Sequence, residues 1–260
     1  MRKEPVSWNS ANLNIRGEIY IPDETGKALP GLVICHGIPG KTKGPDDPGY
    51  PLLAERVCRE GFVVLIFNFR GTGFSEGNFD IIGWARDLEG GLDHFVQRPE
   101  LDKDRLYLMG FSGGAAVSIY VAAHRQEIGA LIACASPAEF KGLMGQVAID
   151  FLEHAREVGI IRDPHFPPSV DEWKKGFETI APSRWIGEIP PRPLLIIHGT
   201  ADDVVEVRHA HLLYEKVRGQ AELYLVEGAG HRLRVEERAM KKALEWMKKV
   251  AFSNPRSANS

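Results

Sequence analysis

A serine between glycines is the first residue whose surroundings suggest chemistry, because residues 110–114 read GFSGG directly after an apolar run. The G-x-S-x-G spacing places a serine on a sharp turn from a strand into a helix, where glycines remove the clashes that side chains would cause. Amide N–H groups of the new helix point at that serine, so the Gly113 amide can stabilise an oxyanion. The pattern favours nucleophilic catalysis by Ser112 over a glycine-rich turn with an idle serine.

A serine hydroxyl needs a base to accept its proton and a carboxylate to orient that base. Residues 198–203 read HGTADD after another apolar run, so Asp202 and Asp203 are both candidate acids. Asp203 could instead cap the next helix, with Glu206 completing a D-x-x-E capping box. His231 ends a glycine-rich segment after the last apolar run. If these segments follow parallel strands, their side chains meet at one sheet edge, and the sequence predicts a Ser–Asp–His triad there.

Apolar runs alternate with helix-compatible segments along the chain. Most runs are continuously apolar, which is typical of parallel strands buried on both faces, and two shorter segments near the N-terminus predict an antiparallel hairpin. The predicted fold class is therefore α/β, with a doubly wound, mostly parallel sheet and an antiparallel N-terminal edge. The predicted strands are 4–8, 16–21, 31–35, 62–68, 105–109, 130–135, 193–198 and 221–226, and the predicted helices between them are 50–60, 80–97, 113–124, 205–217 and 234–250.

Residues 137–191 contain no readable strand, yet a structureless loop of this length is rare in a compact domain. Apolar residues recur there at helical spacing in two groups, on either side of a proline-rich break. We interpret the segment as a small helical cap over the sheet, although helices packed on the flank of the sheet fit the periodicity equally well. The substrate contacts predicted in it are Phe140, Leu143, Met144 and Trp173. The predicted organisation is a catalytic core over 1–136 and 192–251, the cap, and a flexible tail over 252–260.

Further motifs make the chain resemble the α/β-hydrolase superfamily, and within it the serine esterases. Residues 36–40 read HGIPG, like the family's H-G-x-x-G oxyanion loop, and residues 70–75 read RGTGFS, like its R-G-x-G-x-S turn. The resemblance implies an α/β-hydrolase fold, places the triad acid on Asp202 and gives the second oxyanion donor to the backbone amide of Ile38. The chain departs from the family pattern at Glu206, where a proline is common, and this should alter only the start of the following helix.

An insertion of this size is similar to that in cinnamoyl and feruloyl esterases and in bacterial monoacylglycerol lipase-like esterases. The resemblance implies hydrolysis of small to medium acyl or aryl esters through an acyl-enzyme on Ser112. Serine peptidases and thioesterases share this machinery, so both remain alternatives, and a non-catalytic hydrolase-fold binding protein is a third. Labelling of Ser112 by a fluorophosphonate would separate an enzyme from a binding protein.

Composition bears on which partners the protein binds and in which cellular compartment it is expected. The 260 residues include 32 basic and 35 acidic ones, so no general attraction to nucleic acid follows. The longest apolar run, 62–67, is far shorter than a membrane span, and the N-terminus lacks the apolar region of a signal peptide. Three cysteines without metal-ligand spacing indicate reduced thiols in a cytoplasmic protein. The sequence contains neither an H-E-x-x-H zinc motif nor a glycine-rich phosphate-binding loop, so we expect no metal and no cofactor. A small ester is the expected partner, and a homodimer is left open.

Overall fold

The computed structural model describes residues 1–23, 27–40, 49–140 and 146–253, and over these residues the strands form one sheet. The strands are β1 (Arg2–Ser10), β2 (Leu13–Ile21), β3 (Leu29–Cys35), β4 (Val63–Asn68), β5 (Leu101–Phe111), β6 (Ile128–Cys134), β7 (Leu194–Gly199) and β8 (Glu222–Val226). Their order in the sheet is β1-β2-β4-β3-β5-β6-β7-β8. β2 pairs antiparallel with β1 and β4, whereas the pairs from β4 through β8 are parallel. This confirms the predicted mostly parallel sheet with an antiparallel N-terminal edge.

Helices cover both faces of this sheet. They are α1 (Gly49–Arg59), α2 (Ile81–Phe95), α3 (Gly113–His124), α4 (Gln146–Glu157), α5 (Val170–Ile180), α6 (Pro182–Trp185), α7 (Arg208–Lys216) and α8 (Glu237–Phe252). Successive residues of β3 point into two separate hydrophobic clusters, Val33 into one and Leu32 and Ile34 into the other. Because both faces of the central strands are buried, their side chains are apolar at every position rather than at every second one.

Each cluster is completed by its own set of helices. Leu88 of α2 and Val117 of α3 belong to the cluster on one face, and Val57 of α1 and Met247 of α8 belong to the cluster on the other. A sheet packed between two helical layers exposes only its strand ends and the loops that follow them. Functional side chains that must reach solvent are therefore confined to those loops.

The segment between β6 and β7 contains α4, α5 and the short α6. It packs along the loop that follows β4, where the indole of Trp173 donates a hydrogen bond to the carbonyl of Phe79 at 3.1 Å. The guanidinium of Arg162 donates to the carbonyls of Gly71, Gly73 and Ser75 at 3.2–3.3 Å. The insertion is thus fixed to one short loop by hydrogen bonds as well as by apolar contacts.

Two further features concern the helices. Within the described part of the chain, none is both long and apolar enough to cross a bilayer. The C-terminal helix α8 ends at Phe252, one residue beyond the predicted core boundary, and residues 254–260 of the predicted tail lie outside the described residues.

Candidate active site

Ser112 lies between the end of β5 and the start of α3, in a strained backbone conformation with φ 52° and ψ −121°. This positive φ is unfavourable for a residue with a side chain, and it turns the serine away from the sheet. Neighbouring glycines permit the turn. A Cβ at position 114 would lie 2.2 Å from the carbonyl oxygen of His36, and one at position 110 would lie 2.5 Å from the Cα of Ala115. Because both collisions involve backbone atoms, no side-chain movement could relieve them.

A continuous chain of hydrogen bonds joins Ser112, His231 and Asp202. The Nε2 of His231 lies 3.0 Å from the Oγ of Ser112, and its Nδ1 lies 2.8 Å from Oδ2 of Asp202. The carboxylate accepts the Nδ1 hydrogen, so Nε2 is left to accept the proton of the serine hydroxyl. This is the arrangement in which a histidine acts as general base for a serine nucleophile.

The carboxylate of Asp202 is buried and fully hydrogen-bonded. Its Oδ1 accepts the amide hydrogens of Val204 at 3.0 Å and Val205 at 2.8 Å, while His231 and His198 approach Oδ2. Burial alone would raise the pKa of Asp202, but the hydrogen bonds from the two histidines and from Val205 hold it well below its usual range. The acid is therefore ionised at neutral pH and stabilises an imidazolium at His231.

The structure distinguishes between the two candidate acids. Asp202 contacts His231, whereas Asp203 is exposed on the wall of the adjoining cleft. The alternative in which Asp203 and Glu206 form a capping box is not observed, because Val207 occupies the N-cap of α7 without a side-chain hydrogen bond. Glu206 instead pairs with Arg208, and both of these side chains are solvent-exposed.

The two predicted oxyanion donors lie next to each other beside Ser112. Gly113 opens α3, whose first-turn amides have no intrahelical acceptor. A Cβ built on Gly113 would lie 3.0 Å from Cγ1 of Ile38 and 3.8 Å from its amide nitrogen. This proximity is what two converging amides require, and their role in holding an oxyanion stays a prediction.

The loop that carries Ile38 is held by residues on either side of the sheet edge. The buried ring of His36 contacts the carbonyl of Gly37 through Nδ1 at 2.7 Å and accepts the amide hydrogen of Phe69 through Nε2 at 3.1 Å. The hydroxyl of Tyr50 accepts the amide hydrogen of Gly37 at 3.3 Å. Arg234 stacks over the Tyr50 ring with its guanidinium carbon 4.5 Å from the ring centre, and so connects this loop to the segment after His231.

Sequence reasoning had not singled out Tyr50, Arg234 or the contact of His198 with Asp202. Tyr50 and Arg234 are distant in sequence and belong to no motif, so no local pattern could have paired them. His198 did have a signal, because it stands four residues before Asp202 at the end of a buried strand. Its place at a strand end predicts a structural role with a hydrogen bond into the following loop, as its contact with the carbonyl of Val205 has it, but does not predict the contact with Asp202.

An open cleft of about 2090 Å³ adjoins Ser112 and His231. Its wall includes Ile38, Phe140, Phe151 and Ile160, so the predicted contact residue Phe140 borders the cleft. Trp173 does not line it, because its indole packs against Phe79, Phe151 and Phe177 behind the wall. The other two predicted contact residues, Leu143 and Met144, lie outside the described residues.

The described side chains around the cleft do not form a metal site. Over residues 1–23, 27–40, 49–140 and 146–253, no cluster of three or more histidine, cysteine, aspartate or glutamate side chains could hold a metal ion. The chemistry available to the described residues is nucleophilic attack by a serine hydroxyl, supported by a histidine and a buried carboxylate.

Known proteins resemble this chain in sequence and in structure. The sequence model of the prolyl oligopeptidase family matches residues 52–253. The uncharacterized peptidase YtmA of Bacillus subtilis is 27% identical over 224 residues, which are 84% of this chain and 80% of YtmA. Among solved structures, the α/β hydrolase GrgF from Penicillium sp. sh18 superposes with a TM-score of 0.74 at 18% identity, covering 96% of this chain and 99% of GrgF. The Pyrococcus furiosus esterase Pf2001 gives a TM-score of 0.69 at 21% identity, with coverages of 95% and 92%. These structural likenesses show the α/β-hydrolase fold.

Proposed function

The chain belongs to the prolyl oligopeptidase family of α/β-hydrolase-fold proteins, and from this premise we propose that it is a serine esterase acting on small to medium acyl or aryl esters. One observation carries the proposal. Two hydrogen bonds connect Ser112 Oγ to His231 and His231 to the buried carboxylate of Asp202, with distances of 3.0 and 2.8 Å. In serine hydrolases such a pair of hydrogen bonds converts the serine hydroxyl into a nucleophile.

In the proposed reaction, His231 accepts the Ser112 proton while Oγ attacks the ester carbonyl carbon. The oxygen of the tetrahedral intermediate is stabilised by the amides of Ile38 and Gly113, and loss of one such donor typically lowers turnover by about 10²–10³-fold. His231 then gives its proton to the departing alcohol, which leaves an acyl group on Ser112. Water activated by His231 hydrolyses this ester and restores the serine.

The preference for esters is supported by the wall of the cleft. Ile38 borders it beside Ser112, and Phe140, Phe151 and Ile160 face it from the insertion. These apolar and aromatic side chains favour an acyl chain or an aryl ring on their part of the wall, whereas other parts of the cleft carry charged residues such as Glu139 and Arg208. In this proposal, residues 137–191 act as a cap that closes the acyl pocket. The esterase Pf2001, whose structure is similar to this chain over 92% of its length, is consistent with the proposed ester preference.

Peptide hydrolysis is the second candidate, because the family is named for an oligopeptidase and YtmA is described as a peptidase. A peptidase must expel an amine, which leaves less readily than the alcohol or phenol of an ester, so turnover of an amide substrate separates the two activities. The experiment compares kcat/KM for p-nitrophenyl acetate, butyrate and octanoate, methyl ferulate and N-acyl-dipeptide p-nitroanilides. Ser112→Ala, which should retain its fold by circular dichroism, sets the background for each substrate.

We expect at least one short or aryl ester to be cleaved about 10³-fold faster than the best anilide. Anilide turnover within tenfold of the best ester, dependent on Ser112, would transfer the assignment to a peptidase. A preference for octanoate and longer chains over acetate and ferulate would contradict the small-acyl pocket. Absence of all turnover, together with no fluorophosphonate labelling of Ser112, would contradict the enzyme itself.

A further inference from the structure

His198 is a second histidine on the carboxylate of Asp202, and nothing in the proposed reaction uses it. It lies near the end of β7, is completely buried, and precedes Asp202 by four residues. Its Nε2 is 2.7 Å from the carbonyl oxygen of Val205 and 3.3 Å from Oδ2 of Asp202. Buried polar groups are almost always hydrogen-bonded, so the ring hydrogen of this imidazole is expected on the nitrogen that faces the two acceptors.

The surroundings of His198 favour a single tautomer. A backbone carbonyl can only accept a hydrogen bond, so the short contact with Val205 places the ring hydrogen on Nε2. The other nitrogen, Nδ1, is buried and has no hydrogen-bond partner among the described residues. A hydrogen on Nδ1 would therefore be a buried donor without an acceptor, which is costly. The single hydrogen is therefore on Nε2, which lies 2.7 Å from the carbonyl oxygen of Val205 and 3.3 Å from Oδ2 of Asp202.

The consequence is that two histidine nitrogens, each carrying a hydrogen, approach the same carboxylate oxygen. Oδ2 of Asp202 receives His231 Nδ1 at 2.8 Å and His198 Nε2 at 3.3 Å, while Oδ1 is taken by two backbone amides. We propose that His198 is a positioning residue that fixes the plane of the Asp202 carboxylate and shares the negative charge of Oδ2 with His231. The inference rests on the proposed triad, because it assigns a role to the neighbour of the triad acid.

A purely structural role is the competing account. In that case the Nε2 contact with Val205 holds the loop after β7, and the approach to Asp202 has no effect on His231. The two accounts differ in one observable. If Oδ2 shares its charge, removing the His198 donor concentrates that charge on His231, so the His231 titration moves to higher pH. If His198 only holds the loop, its removal lowers kcat/KM at every pH and does not move the midpoint of the His231 titration to higher pH.

Other charged groups near the pair must stay constant for the comparison. They lie on the loop after β8, on the loop before α7, on α7 itself and at the start of the insertion. The groups that line the cleft there are Arg232, Arg234, Glu236, Asp203, Glu206, Arg208, His209 and Glu139. None of them is changed in the variants below, so any difference between variants reports the donor at position 198.

The test compares His198→Met, which removes the donor at similar volume, with His198→Gln, whose side-chain amide can still donate. The readout is the titration of His231 by NMR of ¹⁵N-labelled imidazole, which requires no substrate, together with the pH profile of kcat/KM. We expect the His231 midpoint to rise by about 0.5–1 pH unit in His198→Met and to return toward the wild-type value in His198→Gln. An unchanged or lowered midpoint in folded His198→Met would overturn the proposal.

A wild-type measurement covers the case in which His198→Met does not fold. If both rings share Oδ2, the Nε2–H resonance of His198 shifts as His231 titrates, and an invariant resonance would contradict the sharing. His124→Met is the matched control, because the ring of His124 also contacts a backbone carbonyl at 2.7 Å but lies at the opposite end of α3 from Ser112. This control should leave the His231 midpoint unchanged. Failure of the proposed function would appear differently, as a Ser112 that fluorophosphonate does not label although the His231 midpoint still moves in His198→Met.

Discussion

Replacement of Ser112 by glycine should give a more stable protein than replacement by alanine, although both variants lose the candidate nucleophile. The backbone at this position has φ 52° and ψ −121°, where a Cβ is strained and a glycine is not. Alanine keeps the Cβ and therefore the strain. Because both variants lose the hydroxyl and its contact with His231, the difference between them isolates the cost of the nucleophile's backbone conformation.

The size of this difference follows from two opposing contributions. A non-glycine residue in a sparsely populated backbone region costs about 1–3 kcal/mol. Glycine loses more conformational entropy on folding than alanine, which offsets about 0.5–1 kcal/mol of that gain. We therefore expect Ser112→Gly to exceed Ser112→Ala in free energy of unfolding by about 1 kcal/mol. For a domain of this size each kcal/mol corresponds to about 2–4 °C in melting temperature.

Urea unfolding and calorimetry of the two variants provide the measurement. Ser118, in the interior of α3, supplies a matched pair, because either substitution there removes the same hydrogen bond to the Gly114 carbonyl. In a helix interior glycine is less stable than alanine by about 1 kcal/mol, so the Ser118 pair should show the opposite sign. If Ser112→Gly is no more stable than Ser112→Ala while the Ser118 pair behaves as stated, the strain argument at the nucleophile is wrong.

Two further predictions concern stability. Burial lowers the pKa of His36 from 6.5 to about 4, so between these pH values only the unfolded chain takes up a proton at this residue. As the pH falls through this range, the free energy of unfolding should therefore drop by about 3 kcal/mol because of His36. In His36→Gln, the free energy of unfolding measured in urea should depend less on pH over the same range. Asp87→Ala leaves the buried guanidinium of Arg70 without its carboxylate and should lower the free energy of unfolding in urea by about 3–5 kcal/mol. Asp93→Ala breaks a more exposed pair with Arg125 and should lower it by less than about 1 kcal/mol. Equal effects of the two substitutions would contradict the role of burial.

The sheet was predictable because burial on both faces leaves a strong pattern in the sequence. Every residue of β7 is buried and apolar up to His198, so the strand could be recognised without knowing its neighbours. The sequence predicts β5 from residue 105, but the strand begins at Leu101, which pairs with Leu29, and the register then shifts before pairing resumes at Leu106. The charged residues within this irregularity lack the apolar pattern of a buried strand, so nothing in the sequence indicates that the strand extends through them.

The candidate triad could be read from the sequence because each member belongs to a short motif at the end of a strand. Parallel strands then bring Ser112, Asp202 and His231 to one edge, where the structure places them in hydrogen-bond contact. The lining of the cleft was harder to predict. Periodicity identifies the apolar side of α5 but not what it packs against, so Trp173 was assigned to substrate although it faces Phe79.

The path of the chain through the sheet ties the completion of folding to the appearance of reactivity. The hydrogen bond between Ser112 and His231 spans 119 residues, and the strands that precede these two residues, β5 and β8, are connected across the sheet through β6 and β7. Pairings of such long sequence separation form slowly, after local contacts. During synthesis from the N-terminus, a nascent chain that ends before position 231 carries Ser112 without the histidine that contacts it. If the proposed function holds, Ser112 becomes reactive only late in folding, and its labelling by a fluorophosphonate over time reports when the segment after β8 reaches the edge of the sheet.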